Sequence, residues 1–240
     1  MLYGDSLALE PSLLPSAGRR KINLDVLMPQ WCAIVRSFWV DCISKLRRGW
    51  SGDRQELDAA VQSDSLQLST SLDLYLVALS YAQHYGLASV GLDTTRDLEV
   101  ALFFALNESR DVGAMVSAYQ RRPSWGQDSV IYVFCPFERF LLDFEMFRPR
   151  TFPPGRPDQQ RAYFMHSGWG VNVNACARNL LMALYLVPDG DYGPMPAAEK
   201  LFPAREEDVF GSYLAELVSS GPPAHLTRFL GDFRWVLPDT

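Results

Sequence analysis

Closely spaced cysteines are missing from this sequence: Cys32, Cys42, Cys135 and Cys176 are scattered, with no C-x-x-C pair and no histidine at ligand spacing. Structural zinc sites draw their ligands from such pairs, so no metal is expected. The four thiols are instead expected to be buried and reduced, as in a cytoplasmic protein. Apolar runs are short as well. None approaches the roughly 20 residues that cross a bilayer, and no membrane association is expected. The longest, residues 180–187, reads as a buried strand. The opening Met-Leu-Tyr-Gly-Asp has neither the positive nor the apolar region of a secretory signal. A glycine-rich phosphate loop, H-E-x-x-H and G-x-S-x-G are all absent, which removes the ordinary NTPase, zincin and α/β-hydrolase readings. Basic residues are outnumbered, 22 Lys and Arg against 28 Asp and Glu, for a net charge of −6. A nucleic-acid partner is therefore not expected, because without cations in quantity even non-specific affinity is weak at physiological salt.

What is present suits one compact globular domain. A chain of 240 residues can bury roughly three quarters of its unfolded surface, enough to fold without disulfides or metal. Residues 3–15 read as a strand end followed by a turn. Over 25–46, Trp31, Ile34, Val35, Phe38, Cys42, Ile43 and Leu46 recur at helical spacing, and Arg47, Arg48 and Gly49 supply a stop. Residues 49–71 are polar, with a short helix expected near 55–61 in an otherwise flexible excursion. A second helix is predicted over 71–85, with Gly86 as its stop, then a strand over 89–94. Asp97 is placed to cap a third helix, 98–107, apolar nearly all round and therefore central.

Further strands are predicted at 112–119, 129–135 (a buried run), 162–166 and 179–187. A Pro/Arg-rich loop falls at 149–157 and a glycine-flanked turn at 167–170. Lys200-Leu-Phe-Pro opens a final helix carrying Val209, Tyr213, Leu214 and Leu217. The tail is expected to pack back through Phe229, Leu230, Phe233 and Trp235. Helices come early and strands later, so the fold class is α+β: one domain over 1–220, N-terminal helices packed on a mixed or antiparallel sheet, with residues 221–240 packed on it.

Four blocks resemble the FRG domain family, a bacterial-type module, in the family's order. Ala82-Gln83-His84-Tyr85-Gly86-Leu87, Gly91-Leu92-Asp93-Thr94-Thr95 and Val100-Ala101-Leu102-Phe103-Phe104-Ala105 are similar to A-Q-H-Y-G-L-P-T, L-L-D-W-T and A-L-F-F-A. Ala88 replaces the usual proline and Thr94 the usual tryptophan. Leu201-Phe202-Pro203 resembles the closing L-F-P. Gln160-Arg161 through His166-Ser167-Gly168 resembles an R-x-x-x-Q-x-G strand and turn, with His166 near the usual glutamine. Leu2-Tyr3-Gly4-Asp5-Ser6 with Pro11-Ser12-Leu13 resembles F-R-G-[QD]-S…P-S-L, but Tyr3 stands where arginine is usual. The chain begins almost on this motif, so most of its strand is expected to be absent and a protein partner to cover the edge.

The block order is similar, more distantly, to the ADP-ribosyltransferase fold. That likeness implies a dinucleotide, NAD, as substrate and a toxin or phage-defence role. It implies catalytic roles for His84, Asp93 and His166, and ligand contacts from Tyr3, Gly4, Asp5, Tyr85, Gly86, Thr94, Thr95 and Arg161. Cleaving a nicotinamide–ribose bond needs acceptors near the ribose hydroxyls and negative charge facing an oxocarbenium-like centre. Asp93 suits the first, and His84 at a helix C-terminus suits a phosphate or ribose contact. Each residue also has a plain structural reading. His84 serves equally as a dipole-matched cap, Asp93 as a turn carboxylate bonded to Thr95 or the next helix, and His166 as a turn residue. The alternative function is a non-catalytic nucleotide- or protein-binding module, which the replacement of the signature arginine by Tyr3 favours.

Overall fold

A computed structural model describes residues 23–69, 71–113, 116–121, 129–136, 140–166, 176–187, 190–222 and 235–237, with residues 13, 15, 16, 227, 230 and 233. Tyr3, Gly4, Asp5 and the 167–170 turn lie outside the described residues.

The first helix, α1 (Leu24–Gly49), starts where the Asn23 side chain accepts the Asp25 N–H at 2.9 Å. Its stripe of Trp31, Ile34, Val35, Phe38 and Cys42 is buried, the pattern expected of one helix face against a core. Burial pushes the Cys32 thiol up to about 11 and the Cys42 thiol up to about 12. Residues 49–71 correct the expectation of a flexible excursion: α2 (Arg54–Ser69) is a continuous 16-residue helix. Its polarity misleads because one polar residue faces inward. Asp64 is buried and accepts the N–H groups of Arg150 and Thr151 at 2.9 and 2.7 Å and the Thr151 hydroxyl at 2.5 Å. Gln67 donates to the Phe147 carbonyl at 2.8 Å. The helix is thus fastened to the 147–151 segment through polar groups, a pairing that periodicity cannot reveal.

Helix α3 (Ser71–His84) ends in a Schellman motif. Gly86, at φ +74°, lets Leu87 N–H reach the Ala82 carbonyl at 2.9 Å and its own N–H reach Gln83 at 3.3 Å. Strand β1 (Leu92–Thr95) follows, then α4 (Leu98–Leu106), capped by Asp97 as expected through Glu99 N–H at 2.9 Å. The predicted strand at 112–119 proves to be a hairpin of β2 (Asn107–Gly113) and β3 (Val116–Arg121). Then come β4 (Ser129–Phe134), β5 (Leu141–Asp143), the single-turn helices α5 (Phe144–Phe147) and α6 (Arg156–Gln159), β6 (Ala162–Met165) and β7 (Leu180–Leu186). The single final helix becomes two, α7 (Ala198–Leu201) and α8 (Val209–Ser219), and β8 (Trp235–Leu237) is the last described element.

Among the described residues the strands form three small sheets instead of one: β1-β6-β5 antiparallel, β2-β3-β8 with β8 parallel to β3, and antiparallel β4-β7. The buried strands expected at 129–135 and 179–187 are a correction. In β4 only Ile131 is buried, Cys135 beyond it is exposed, and β7 leaves Leu181 63% and Tyr185 70% exposed. The main core lies elsewhere, where α1, α3 and α8 meet. There Phe38 meets Phe152 and Phe210 edge-on at centroid distances of 5.0 and 4.8 Å. In the tail Leu230 and Phe233 are buried in this core as expected, whereas Phe229 lies outside the described residues. Among the described residues no helix is long and apolar enough to cross a membrane.

Candidate functional site

The end of α3 and the start of β1 meet over β6, and this junction carries the two residues of most chemical interest. Gly91 makes the approach possible. A β-carbon there would run into the Phe164 ring and come within 2.7 Å of the Met165 carbonyl. With the strands so close, Asp93 pairs with Phe164 across the ladder and its Oδ2 lies 2.9 Å from His84 Nδ1. The contact is close but is not an aligned hydrogen bond: neither ring nitrogen of His84 has a hydrogen-bond partner among the described residues. Burial is unequal within the pair. The His84 side chain is 0% exposed and that of Asp93 34%, so the carboxylate is the solvent-facing member and the ring lies behind it, edge-on to Phe144 at 5.4 Å.

Residues 11–113 match the family model of the FRG domain. The likeness to the FRG domain thus covers less than half of the chain. No curated protein and no solved structure matches the chain. The FRG match takes in His84, Asp93, Thr94 and Thr95, and ends before Arg161 and His166.

Within and beyond that match, the other candidates divide by what they touch. Thr94 Oγ1 donates to the Tyr163 carbonyl at 3.2 Å. Thr95 Oγ1 meets the Gln160 carbonyl at 3.0 Å and accepts the Asp97 N–H at 3.0 Å. Thr94 and Thr95 thus fasten β1 to β6 and begin α4. The turn bonding anticipated for Asp93 is done by Thr95 and Asp97. Arg161 takes positive φ (46°) and its exposed guanidinium pairs with Asp97 at 3.0 Å. His166 sits just past β6, its ring parallel to Phe164 at 6.0 Å and edge-on to Phe140 at 6.3 Å. Burial lowers its pKa from the usual histidine value. Gly86 is the helix stop described above. Tyr85 turns inward: its hydroxyl donates to Asp208 Oδ1 at 2.5 Å, and burial, then the Asp208 carboxylate, hold the phenol well above its ordinary range.

Sequence reasoning missed the groups behind His84. Arg156 is buried, its guanidinium 4.6 Å from the Tyr85 ring centre and 5.4 Å from that of Phe202. Its Nη1 donates to the His84 carbonyl at 3.3 Å, and Nη2 lies 3.7 Å from Asp208 Oδ2. Asp208, fully buried, also caps α8 through the Gly211 N–H at 3.1 Å. Tyr119 stacks on Phe202 at 4.8 Å. Burial raises its pKa, with Arg156 opposing and Asp93 adding to the shift. The one signal available in sequence was Phe202 in the Leu-Phe-Pro block. Nothing in a loop of prolines and arginines marks Arg156 as the inward one. Among the described residues no group of three His, Cys, Asp or Glu side chains could hold a metal.

Proposed function

We propose that the FRG domain takes an NAD-type dinucleotide at Asp93 and cleaves its nicotinamide–ribose bond, as an ADP-ribosyltransferase-like enzyme in a toxin or phage-defence role. The observation that supports this is a carboxylate about one-third exposed, backed at 2.9 Å by a fully buried imidazole. In the reaction the C–N bond breaks and nicotinamide leaves with its electron pair. The ribose carbon becomes oxocarbenium-like and is captured by water or an acceptor that then gives up a proton. A fixed carboxylate beside the sugar accepts from its hydroxyls and faces the developing positive charge, where preorganised charge is most effective. His84 keeps Asp93 in place. His166 lies just past β6, two residues beyond Phe164, the cross-strand partner of Asp93.

A second reading, nucleotide binding without turnover, is favoured by the burial of His84: the pair offers a carboxylate but no exposed imidazole for proton transfer. NAD turnover and nucleotide-dependent melting temperature, measured on the chain, His84→Ala and Asp93→Ala, separate the two. Turnover lost in both variants supports the enzyme. A rise in melting temperature with background turnover supports binding alone. Equal background turnover and no shift in all three removes both.

A further inference from the structure

His84 presents a problem of aim. A buried ring is normally fixed by hydrogen bonds to its nitrogens, yet both nitrogens of His84 lack them among the described residues. Besides the 2.9 Å contact with Asp93 itself, its orientation rests on the backbone that carries it and on the packing of Phe144. The backbone is held in an unusual way. The His84 carbonyl, one of the last of α3 and so without a helical partner, accepts from Arg156 Nη1 at 3.3 Å. The next residue, Tyr85, packs its ring 4.6 Å from the same guanidinium and sends its hydroxyl to Asp208. Two successive residues at the helix end are therefore gripped from α6 and from the cap of α8.

Arg156 is also a poor structural ion pair. A guanidinium has five N–H donors, and burying it is costly unless they are used. Arg156 is 4% exposed, its Nε is without a partner among the described residues, and Asp208 Oδ2 at 3.7 Å is beyond hydrogen-bond range. What the site uses is the plane of the group, between Tyr85 and Phe202, together with one donor to the His84 carbonyl. Lysine supplies the charge without the plane.

We infer that Arg156 is a positioning residue: it clamps the end of α3 and so aims His84 at Asp93, extending the working unit beyond the matched 11–113 segment. Its consequence for ligand binding rests on the nucleotide reading above; the clamp itself does not. The test is a long-range ¹H–¹⁵N spectrum of the ring nitrogens in the full chain, where three histidines, His84, His166 and His225, are assigned by histidine-to-glutamine variants. Arg156→Lys keeps the charge and loses the plane, while Phe202→Leu keeps the arginine and removes one of its aromatic faces. Both are expected to shift the His84 ring resonances and leave His166 unmoved, and Arg156→Lys is expected to lose the NAD-dependent rise in melting temperature. His84 resonances that superimpose on wild type in both variants overturn the inference, as does equal movement of His166, which marks general loosening. If Arg156→Lys does not fold, Phe202→Leu decides by the same criterion. A wild-type chain with no response to NAD defeats the nucleotide reading and leaves the ring shifts to decide the clamp.

Discussion

At the scale of single residues, the chemistry of the site turns on which side chains meet water. Asp93 does and His84 does not, so their contributions separate. His166 gives a further handle because burial lowers its pKa from 6.5. Above pH 6.5 the ring is neutral folded and unfolded, and it contributes no pH dependence. As pH falls through 6.5 the unfolded chain takes up the proton first, so stability drops until the pH passes the lowered folded value. Urea unfolding of the chain and of His166→Gln is expected to show a larger loss for the wild type between about pH 7.5 and about pH 5.5. Parallel losses would mean that the ring titrates freely in the fold.

At the scale of elements, the legible parts were those whose signal is local. Gly86 after an apolar stripe predicts a helix stop, and Asp97 three residues before Val100 predicts a cap; both are where expected. His84 ends one helix and Asp93 lies on the strand that follows it, so a short turn brings the two together. The errors were of another kind. Helix α2 runs well past the short helix expected near 55–61, because Asp64 looks like surface while its carboxylate organises the 150–151 backbone. Residues 180–186 looked like a buried strand because hydropathy cannot tell a core strand from an apolar one left exposed. Arg156 was invisible because its partners, Tyr85, Phe202 and Asp208, are distant in sequence. Asp64→Ala leaves buried N–H groups unpaired and is expected to cost about 3 kcal/mol in unfolding free energy. A loss below about 0.5 kcal/mol, the range of surface changes, would show that α2 does not depend on this anchor. Gly86→Ala imposes a left-handed alanine, and a loss of about 1 kcal/mol is expected by the same measurement.

At the scale of the whole molecule, the segment matching the family, residues 11–113, is not a folding unit in this structure. The core that buries α1 and α3 includes Phe144, Phe152, Phe164, Phe210, Leu214, Leu230 and Phe233, all beyond residue 113. A fragment ending at 113 would expose that surface, and it is expected to lack dispersed side-chain NMR signals and a cooperative melt; a cooperative transition in the fragment would refute this. The same dependence explains why the pair at 84 and 93 is supported from behind by groups at 156, 202 and 208. The measurement that bears most directly on the central claim is nicotinamide release from NAD by the full chain and by Asp93→Asn, which keeps the shape of the side chain and removes its charge. The account predicts release by the wild type that falls by roughly 100-fold in the variant, with melting temperature little changed. Equal release by the two proteins, or none by either, would contradict it.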